Sequence, residues 1–455
     1  MTPAPAGRGA RPTRPGGEAR LNVTDARVAA ADCLADLREG DLLDVAFERR
    51  VQSLDARDRR WVQELVWGML RRRSMLDAVL DARVKGGTVR LDADVADLLR
   101  LGADQLLHMG SVPPYAAIAQ TVELVKVRHG QGAGGLANAV LRRIDRERDQ
   151  LGVPTPADPI DALALEFGHP RWLVARWLAR WGAADTAKLL GANNTPGPLT
   201  IRPYNIVTEQ LEATLHAAGI EPTDVPLARG SLALPTGIAM TELGAFKQGL
   251  FFVQDAAATL VTQYASVAPG SIAADLCAAP GGKTLELART AQLVLASDRG
   301  TGRVKRLAEN VRRVDAKNVH VFAADVRDGA TMPVDAVLID VPCTGTGTFR
   351  RHPDARWRLK ISDIAVMAAT QRSLARQAAK LVKVGGLLIY STCSLEPEEN
   401  DAQIESFLSE YSDWTLEPPP EGAVPAEVLD AGRLRVLPHK HGVDGAFAAR
   451  LRKRA

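Results

Sequence analysis

Two cysteines stand in loops rich in small and hydroxylated residues, and both are candidates for nucleophilic chemistry. Cys343 lies in the run DVPCTGTGT (340–348) and Cys393 in the run YSTCS (390–394), each just after a short apolar stretch. A cysteine attacks as the thiolate, and its formation near pH 7 requires a local positive field. By contrast, we expect Cys33 to be an inert core residue.

A glycine-rich loop followed by acidic residues predicts a cofactor site. The run DLCAAPGGKT (275–284) follows an apolar stretch, and its two glycines would let a ligand approach the backbone and open the next helix. The run matches neither GxGxxG nor GxxxxGK[ST], which disfavours NAD and ATP. Asp298, Asp325 and Asp340 end the strands that follow, and their carboxylates can accept hydrogen bonds from ribose hydroxyls and an adenine amino group. The pattern favours an adenosine ligand without a phosphate chain.

An alternation of strands and helices positions these loops from Gln254 onward. The predicted strands are 272–276, 293–297, 319–323, 334–339 and 387–390, and the predicted helices are 283–289, 304–314 and 363–382. Such alternation predicts a parallel sheet covered on both faces. Ligands of these sheets bind beyond the carboxyl ends of the strands, which is where the glycine loop, the aspartates and both cysteines fall.

The amino-terminal half is predicted to be helical. Apolar residues recur at helical spacing between Thr24 and Ile144, and three prolines between residues 154 and 159 mark a linker. A second helical piece carries Trp172, Trp177 and Trp181, which we expect to pack in a core instead of stacking on bases. The predicted regions are a disordered tail at 1–20, an all-α domain at 21–150, a helical and α+β connecting subdomain at 160–240, and an α/β domain at 241–455.

The composition is that of a globular protein with local, not global, charge. The 455 residues are 46% hydrophobic and 24% charged, and 57 Lys and Arg against 54 Asp and Glu give a net charge of +3. Any face that binds nucleic acid must therefore be local. No apolar run approaches the roughly 20 residues of a membrane helix. The four separated cysteines favour a reduced cytoplasmic protein, and we expect no metal site.

Three long motifs carry a family resemblance: DLCAAPGGKT, DVPCTGTGTFRRHPD (340–354) and YSTCSLEPEEN (390–400). They resemble the cytosine-5 RNA methyltransferases of the Sun/RsmB (Fmu) type, within the wider NOL1/NOP2/Sun family, and the likeness extends over residues 239–452. Upstream, RDRRWVQELVWGMLRRRSMLD, VPPYAAIAQTVELVK and GLANAVLRRI resemble the NusB-like RNA-binding domain of such proteins, and HPRWLVARW and NNTPGPLTIRPY resemble their connecting subdomain. The resemblance implies a multi-domain fold: an all-α NusB-like domain, a small α+β subdomain and an α/β Rossmann-like methyltransferase domain.

The resemblance also implies a reaction, which is methylation of carbon 5 of a specific cytosine in 16S rRNA through a covalent cysteine–cytosine intermediate. The cofactor implied is S-adenosyl-L-methionine. Cys393 would be the nucleophile, and Cys343 would assist release of the product. Asp340 would protonate or hydrogen-bond ring nitrogen 3, and Lys283 would supply positive charge and orient Asp340. The implied cofactor residues are Cys277, Ala278, Ala279, Pro280, Gly281, Gly282, Lys283, Asp298, Asp325 and Asp340.

Arginines are the predicted RNA contacts. Arg350, Arg351 and Arg356 follow the Cys343 motif directly, which favours contact with phosphates. The others resemble basic regions of the NusB-like domain and are Arg71, Arg72, Arg142 and Arg143. We expect a monomer with 16S rRNA as its partner. Two alternatives stay open: the same chemistry on transfer RNA or 23S rRNA, and a non-catalytic RNA-binding assembly factor, against which the two cysteines argue.

Overall fold

The structure is a computed structural model that describes residues 23–153, 155–328 and 332–454. The predicted tail at 1–20 lies outside these ranges. The chain divides into two compact units: the first runs to Met69 and resumes over Leu76–Val153, and the second holds Leu70–Met75 and Pro154–Ala455. In the described part of the chain, no helix is long and apolar enough to cross a membrane.

The first unit is all-α, as predicted. Its helices are α1 (Asp25–Arg38), α2 (Leu43–Arg50), α3 (Ala56–Asp81), α4 (Ala93–His108) and α5 (Pro114–Glu147); the six-residue stretch Leu70–Met75 of α3 groups with the second unit. Side chains cap two of these helices, because Asp55 accepts from the Asp58 amide and Asp92 from the Asp94 amide. Leucines, valines and alanines fill the interior, and Cys33 is fully buried among them, as expected.

The second unit begins with a small α+β part. Its elements are α6 (Pro159–Phe167), α7 (Arg171–Asn194), β1 (Leu199–Pro203), α8 (Thr208–Ala217), β2 (Thr223–Asp224), β3 (Leu232–Leu234), α9 (Gly244–Lys247) and β4 (Phe251–Val253). The strands form an antiparallel sheet in the order β2-β3-β1-β4. Because Phe251 pairs with Pro203, this sheet continues past the boundary predicted at residue 240. Trp177 is fully buried in a core with Trp172 and Trp181, in agreement with the packing prediction.

The α/β part of this unit follows. It contains α10 (Ala256–Ala265), β5 (Ile272–Asp275), α11 (Gly282–Ala288), β6 (Leu293–Asp298), α12 (Thr301–Arg313), β7 (Val319–Ala323), β8 (Val334–Asp340), α13 (Ala355–Arg358), α14 (Ile361–Ala379), β9 (Val382–Thr392), α15 (Asp401–Glu410), β10 (Trp414–Leu416), β11 (Leu429–Asp430), β12 (Arg433–Val436), α16 (Pro438–His441) and β13 (Ala446–Lys453).

The large sheet is mixed, which corrects the prediction of a purely parallel one. Its order is β11-β12-β13-β9-β8-β5-β6-β7, with β10 beside β13. Strands β5 to β9 are parallel, whereas β13 runs antiparallel to its neighbours β9, β10 and β12. Apolar clusters cover both faces: Leu260 and Leu287 belong to one, Leu374 and Phe407 to the other. Because β5, β6, β8 and β9 run parallel, their carboxyl ends lie at the same edge of the sheet.

Candidate active site

The two predicted thiols lie side by side at this edge. Strands β8 and β9 are paired in parallel up to Asp340 and Ser391, so the loops that follow them leave the sheet together. The Sγ atoms of Cys343 and Cys393 are 3.1 Å apart, and both residues are partly exposed. Gly347 permits this approach, since its amide donates to the Cys393 carbonyl at 2.9 Å and a Cβ there would lie 2.7 Å from that oxygen.

A lysine–aspartate pair lies at the same edge. Lys283 in the first turn of α11 places its Nζ 2.7 Å from Oδ2 of Asp340, the last residue of β8, and the Ser391 hydroxyl donates to Oδ1 at 2.8 Å. Although burial favours the neutral amine, the Asp340 carboxylate raises the pKa of Lys283 above its usual value. The ammonium therefore persists at neutral pH and acts electrostatically on Cys393. The positive field that a thiolate needs is present.

The neighbouring thiol has a different environment. The hydrogen bond with Cys393, then burial, then the charges of Cys393, Glu399 and Asp340 raise the pKa of Cys343 well above its usual value. Cys343 is thus held as a neutral thiol. Burial likewise raises the pKa of Cys277 to about 12, so this thiol in the glycine loop also stays neutral near pH 7.

The predicted cofactor loop lies between β5 and α11. Its backbone passes close to the next strand, because the Ala278 amide donates to the Ser297 carbonyl at 2.9 Å. Gly281 has a φ of 112°, and a Cβ there would lie 2.7 Å from Leu307, so only glycine suits this position. The loop and the end of β6 are joined further at Asp298, whose carboxylate accepts from the amides of Gly300 and Ala279.

The three predicted carboxylates lie at or just after the ends of β6, β7 and β8, but they differ in their partners. Asp298 is buried at the end of β6, and the exposed Arg303 approaches its Oδ2 at 2.9 Å. Asp325, just after β7, binds the backbone and side chain of Arg327, which lowers the pKa of Asp325 to about 2. Asp340 faces Lys283, as described. This set of oxygen acceptors beside a glycine loop fits an adenosine-type cofactor.

Sequence reasoning missed the acidic residues after Cys393. Glu399 is fully buried and accepts hydrogen bonds from Thr344 and Ser394, the residues that follow the two thiols. Glu396 is buried too and accepts from the Trp177 indole at 3.0 Å. The sequence did contain a sign of them, because three glutamates lie within seven residues of Cys393, in a stretch that is otherwise apolar or neutral.

The arginines after the Cys343 motif require a correction. Arg356 is 0% exposed and donates to the backbone carbonyls of Gly168, Asn193 and Phe349. Arg350 is buried as well and donates to the Gly442 carbonyl. Neither guanidinium can reach an RNA phosphate from these positions.

A third arginine of this segment forms ion pairs with two carboxylates. Arg351 lies between Asp255 and Asp444, and its Nε is 2.9 Å from Oδ2 of Asp444. The arginines of this basic run therefore mainly form hydrogen bonds and ion pairs inside the protein, where they hold the loop after Cys343. The predicted phosphate contacts of this segment do not follow from its structure.

The other predicted arginines divide into two kinds. Arg142 and Arg143 are exposed on α5, where Arg143 pairs with Glu147 at helical spacing. Arg71 is half-buried, and its Nη2 donates to the Arg350 carbonyl; burial lowers the pKa of Arg71 to about 10. Arg72 is partly buried.

Comparison with known proteins agrees with these features. The family described as 16S rRNA methyltransferase RsmB/F matches residues 266–452, the NusB family matches residues 24–146, and the ferredoxin-like domain of RsmF/B-like methyltransferases matches residues 169–241. A probable ribosomal RNA small subunit methyltransferase B from Synechocystis sp. is 34% identical and covers 95% of this chain and 100% of its own length. The chain belongs to the RsmB/F family of 16S rRNA methyltransferases.

Other members of the RsmB/F family and solved structures extend the likeness over nearly the whole chain. Ribosomal RNA small subunit methyltransferase B of Vibrio cholerae is 34% identical over 95% of this chain and 98% of its own length. The crystal structure of the protein PH0851 superimposes with a TM-score of 0.80 at 26% identity, covering 95% of this chain and 100% of that one. A methyltransferase homologue from Pyrococcus horikoshii is 29% identical, with a TM-score of 0.56 over 66% of this chain and 99% of its own.

Proposed function

We propose that this protein methylates carbon 5 of a cytosine in 16S rRNA through a covalent adduct with Cys393. The observation that carries the proposal is the pair of thiols 3.1 Å apart, beside an aspartate held by a lysine. A non-catalytic RNA-binding factor needs neither thiol. The small-subunit ribosomal RNA enters as substrate from the names of the relatives, which are near full-length matches.

Cys393 is the nucleophile of this mechanism. Its sulfur adds as the thiolate to carbon 6 of cytosine, near the ammonium of Lys283, and carbon 5 becomes nucleophilic as a result. Cys343, a thiol 3.1 Å from the Cys393 sulfur, donates a hydrogen bond to that sulfur when the adduct breaks down. Once carbon 5 carries the methyl group, its proton passes to water at this partly exposed edge. The electrons of that bond re-form the double bond to carbon 6, the bond from sulfur to carbon 6 breaks, and the Cys393 thiolate is released.

Asp340 assists the attack. Lys283 and Ser391 hold its two oxygens, so the carboxyl group has a fixed orientation at the end of β8. Asp340 would act in this step as the protonated acid: it gives its proton to ring nitrogen 3, which draws electron density from carbon 6 and favours addition of the thiolate, and it takes the proton back when the adduct breaks down. Lys283 is in this view a positioning residue for Asp340 as well as the source of positive charge.

S-adenosyl-L-methionine is the cofactor that we infer, and when bound it supplies the methyl group. The residues that would hold it are the glycine loop from Cys277 to Lys283 and the acidic residues Asp298, Asp325 and Asp340. Support comes from the left-handed Gly281, which keeps the loop free of a side chain, and from the buried Asp298 at the end of β6. Carboxylates in these positions are suited to ribose hydroxyls and an adenine amino group.

The test compares substitutions of two thiols. Cys393→Ala should abolish methyl transfer, because no nucleophile remains, and should leave cofactor binding intact. Bisulfite sequencing of 16S rRNA from cells that carry only the variant measures the modification. Cys33→Ala, which removes a buried thiol from the helical unit, is the control and should retain activity. A Cys393→Ala enzyme that modifies its cytosine at a comparable rate would refute the nucleophile assignment.

Cys343→Ala should give a different outcome. Attack by Cys393 remains possible but release is impaired, so a covalent protein–RNA adduct should accumulate. A denaturing gel with labelled RNA would show it as a slowly migrating band. Adduct formation by Cys393→Ala instead would mean that the two roles are reversed.

A third substitution tests the cofactor site. Asp298→Ala should weaken S-adenosyl-L-methionine binding about ten- to one-hundred-fold, because one charge-assisted hydrogen bond contributes roughly 1.5–3 kcal/mol. Calorimetry measures the affinity, and Asp315→Ala, an exposed carboxylate after α12, is the matched control. Unchanged affinity in the Asp298 variant would remove this residue from the cofactor site.

A further inference from the structure

Glu399 joins the loops that carry the two thiols. It is 0% exposed in a short turn after Cys393, and each of its carboxylate oxygens accepts two hydrogen bonds. Oε1 accepts from the Thr344 amide and from Nε2 of Gln371, both at 2.9 Å. Oε2 accepts from the hydroxyls of Thr344 and Ser394. One carboxylate thus binds the residue after Cys343 twice and the residue after Cys393 once.

A second set of contacts fixes the same two loops around this carboxylate. Gln371 of α14 also donates to the Pro342 carbonyl at 2.9 Å, so both neighbours of Cys343 in the chain are held. The Thr346 hydroxyl accepts from the Leu395 amide at 2.8 Å, and the Tyr390 hydroxyl donates to the Glu399 carbonyl at 2.6 Å. Four neutral donors satisfy the Glu399 carboxylate, which is the arrangement that a buried negative charge requires.

The charge of Glu399 acts differently on the two thiols. The charged and titratable groups that act on Cys343 are Cys393, Glu399 and Asp340, and Cys343 in turn opposes ionisation of the buried Tyr390. Negative charge on Glu399 and Asp340 opposes ionisation of Cys343, in addition to its hydrogen bond with Cys393 and its burial. Cys393 lies within the field of Lys283. The two adjacent thiols therefore have different charged neighbours although they belong to the same residue type.

We propose that Glu399 is a positioning residue that sets the spacing of the two thiol loops and places a buried carboxylate beside Cys343. The effect of Glu399 on catalysis rests on the proposed function. The hydrogen bonds by which Glu399 holds the two loops do not depend on it. The different roles of Cys393 and Cys343 then depend on the buried carboxylate that joins their loops.

The first experiment measures the pH profile of Cys343 alkylation without RNA. Iodoacetamide labelling followed by peptide mass spectrometry compares Cys393→Ala with the double variant Cys393→Ala/Glu399→Gln. Gln has the same shape and can still accept from the Thr344 amide and donate to a hydroxyl, so the fold should persist. We expect Cys343 in the double variant to react about tenfold faster at pH 8, which corresponds to a fall of one pKa unit. Identical profiles would overturn the proposal.

A matched control lies one residue away. Glu398→Gln removes a half-exposed carboxylate that pairs with Arg176, and it should leave the Cys343 profile unchanged. If Glu398→Gln accelerates labelling as much as Glu399→Gln does, the effect is one of general charge and the proposal is wrong. Because RNA is absent from this assay, its result does not depend on whether the protein methylates cytosine.

The second experiment measures catalysis with Cys393 intact. Glu399→Gln should lower kcat about tenfold and leave KM for S-adenosyl-L-methionine unchanged, because the glycine loop is not among its contacts. If Glu399→Gln does not fold, Ser394→Ala removes one donor to Glu399 and should lower kcat in the same way. An unchanged kcat in a folded variant would overturn the positioning role, whereas an inactive wild-type enzyme would refute the proposed function and leave the alkylation result standing.

Discussion

Two arginine-rich segments of similar composition occupy opposite environments. The segment after Cys343 places Arg350 and Arg356 in the interior, where they donate to backbone carbonyls. The end of α5 exposes Arg142 and Arg143, which donate to Asn138 and Glu147 of the same helix. In the first segment the guanidinium donors satisfy loop carbonyls that no helix or strand would satisfy. Basic residues in a motif can therefore hold a loop in place, and phosphate binding has to be argued from exposure.

The largest expected effect is on the buried segment. Arg356→Met should lower the free energy of unfolding by about 3–5 kcal/mol, because several buried acceptors lose a charged donor at once. Urea unfolding of the full chain measures this change. Arg376→Gln, which breaks an exposed pair with Glu410, is the control and should cost about 0.5 kcal/mol. If both variants lost the same small amount of unfolding free energy, buried and exposed arginines would not differ in their contribution to stability.

A smaller, pH-dependent effect is expected at Arg351. Burial raises the pKa of Asp444 to about 7, so the folded state holds a proton that the unfolded state loses near pH 4. The stability from this group is complete below about pH 4 and falls as the pH rises toward 7. Arg351 favours the ionised carboxylate, so Arg351→Gln should raise the pKa of Asp444 further and extend the loss to higher pH.

The measurement for Arg351 is urea unfolding at pH 5 and pH 8. Arg351→Gln should be destabilised by about 1–2 kcal/mol more at pH 8 than at pH 5, since the carboxylates of Asp255 and Asp444 then lack their shared cation. Arg376→Gln again serves as the control, with an effect of similar size at both pH values. An equal loss at both pH values would contradict this expectation and would mean that Asp444 is ionised throughout this range.

The sequence was informative where local pattern and chemistry coincide. Alternating apolar runs predicted β5 to β9, and the loops after β8 and β9 were correctly expected to carry the thiols to one edge. It was less informative where distant segments meet. The pairing of β4 with β1 and the antiparallel strand β13 depend on contacts between residues far apart in the chain. Burial of Arg356 and the bonds of Glu399 likewise arise from tertiary packing, which side-chain type alone does not indicate.

The smallest expected effect concerns the exposed segment and tests whether it contacts RNA. Arg142→Gln/Arg143→Gln should weaken binding of 16S rRNA fragments about tenfold and flatten its dependence on salt by roughly 1.5 units of slope, since each phosphate contact contributes about 0.7–0.9. The fold should be unaffected because both side chains face solvent. Lys85→Gln/Arg90→Gln removes the same charge from an exposed loop of the same unit. If filter binding gives both double variants the same salt slope, α5 contributes only general charge, and exposure of an arginine would be necessary for phosphate contact but not sufficient.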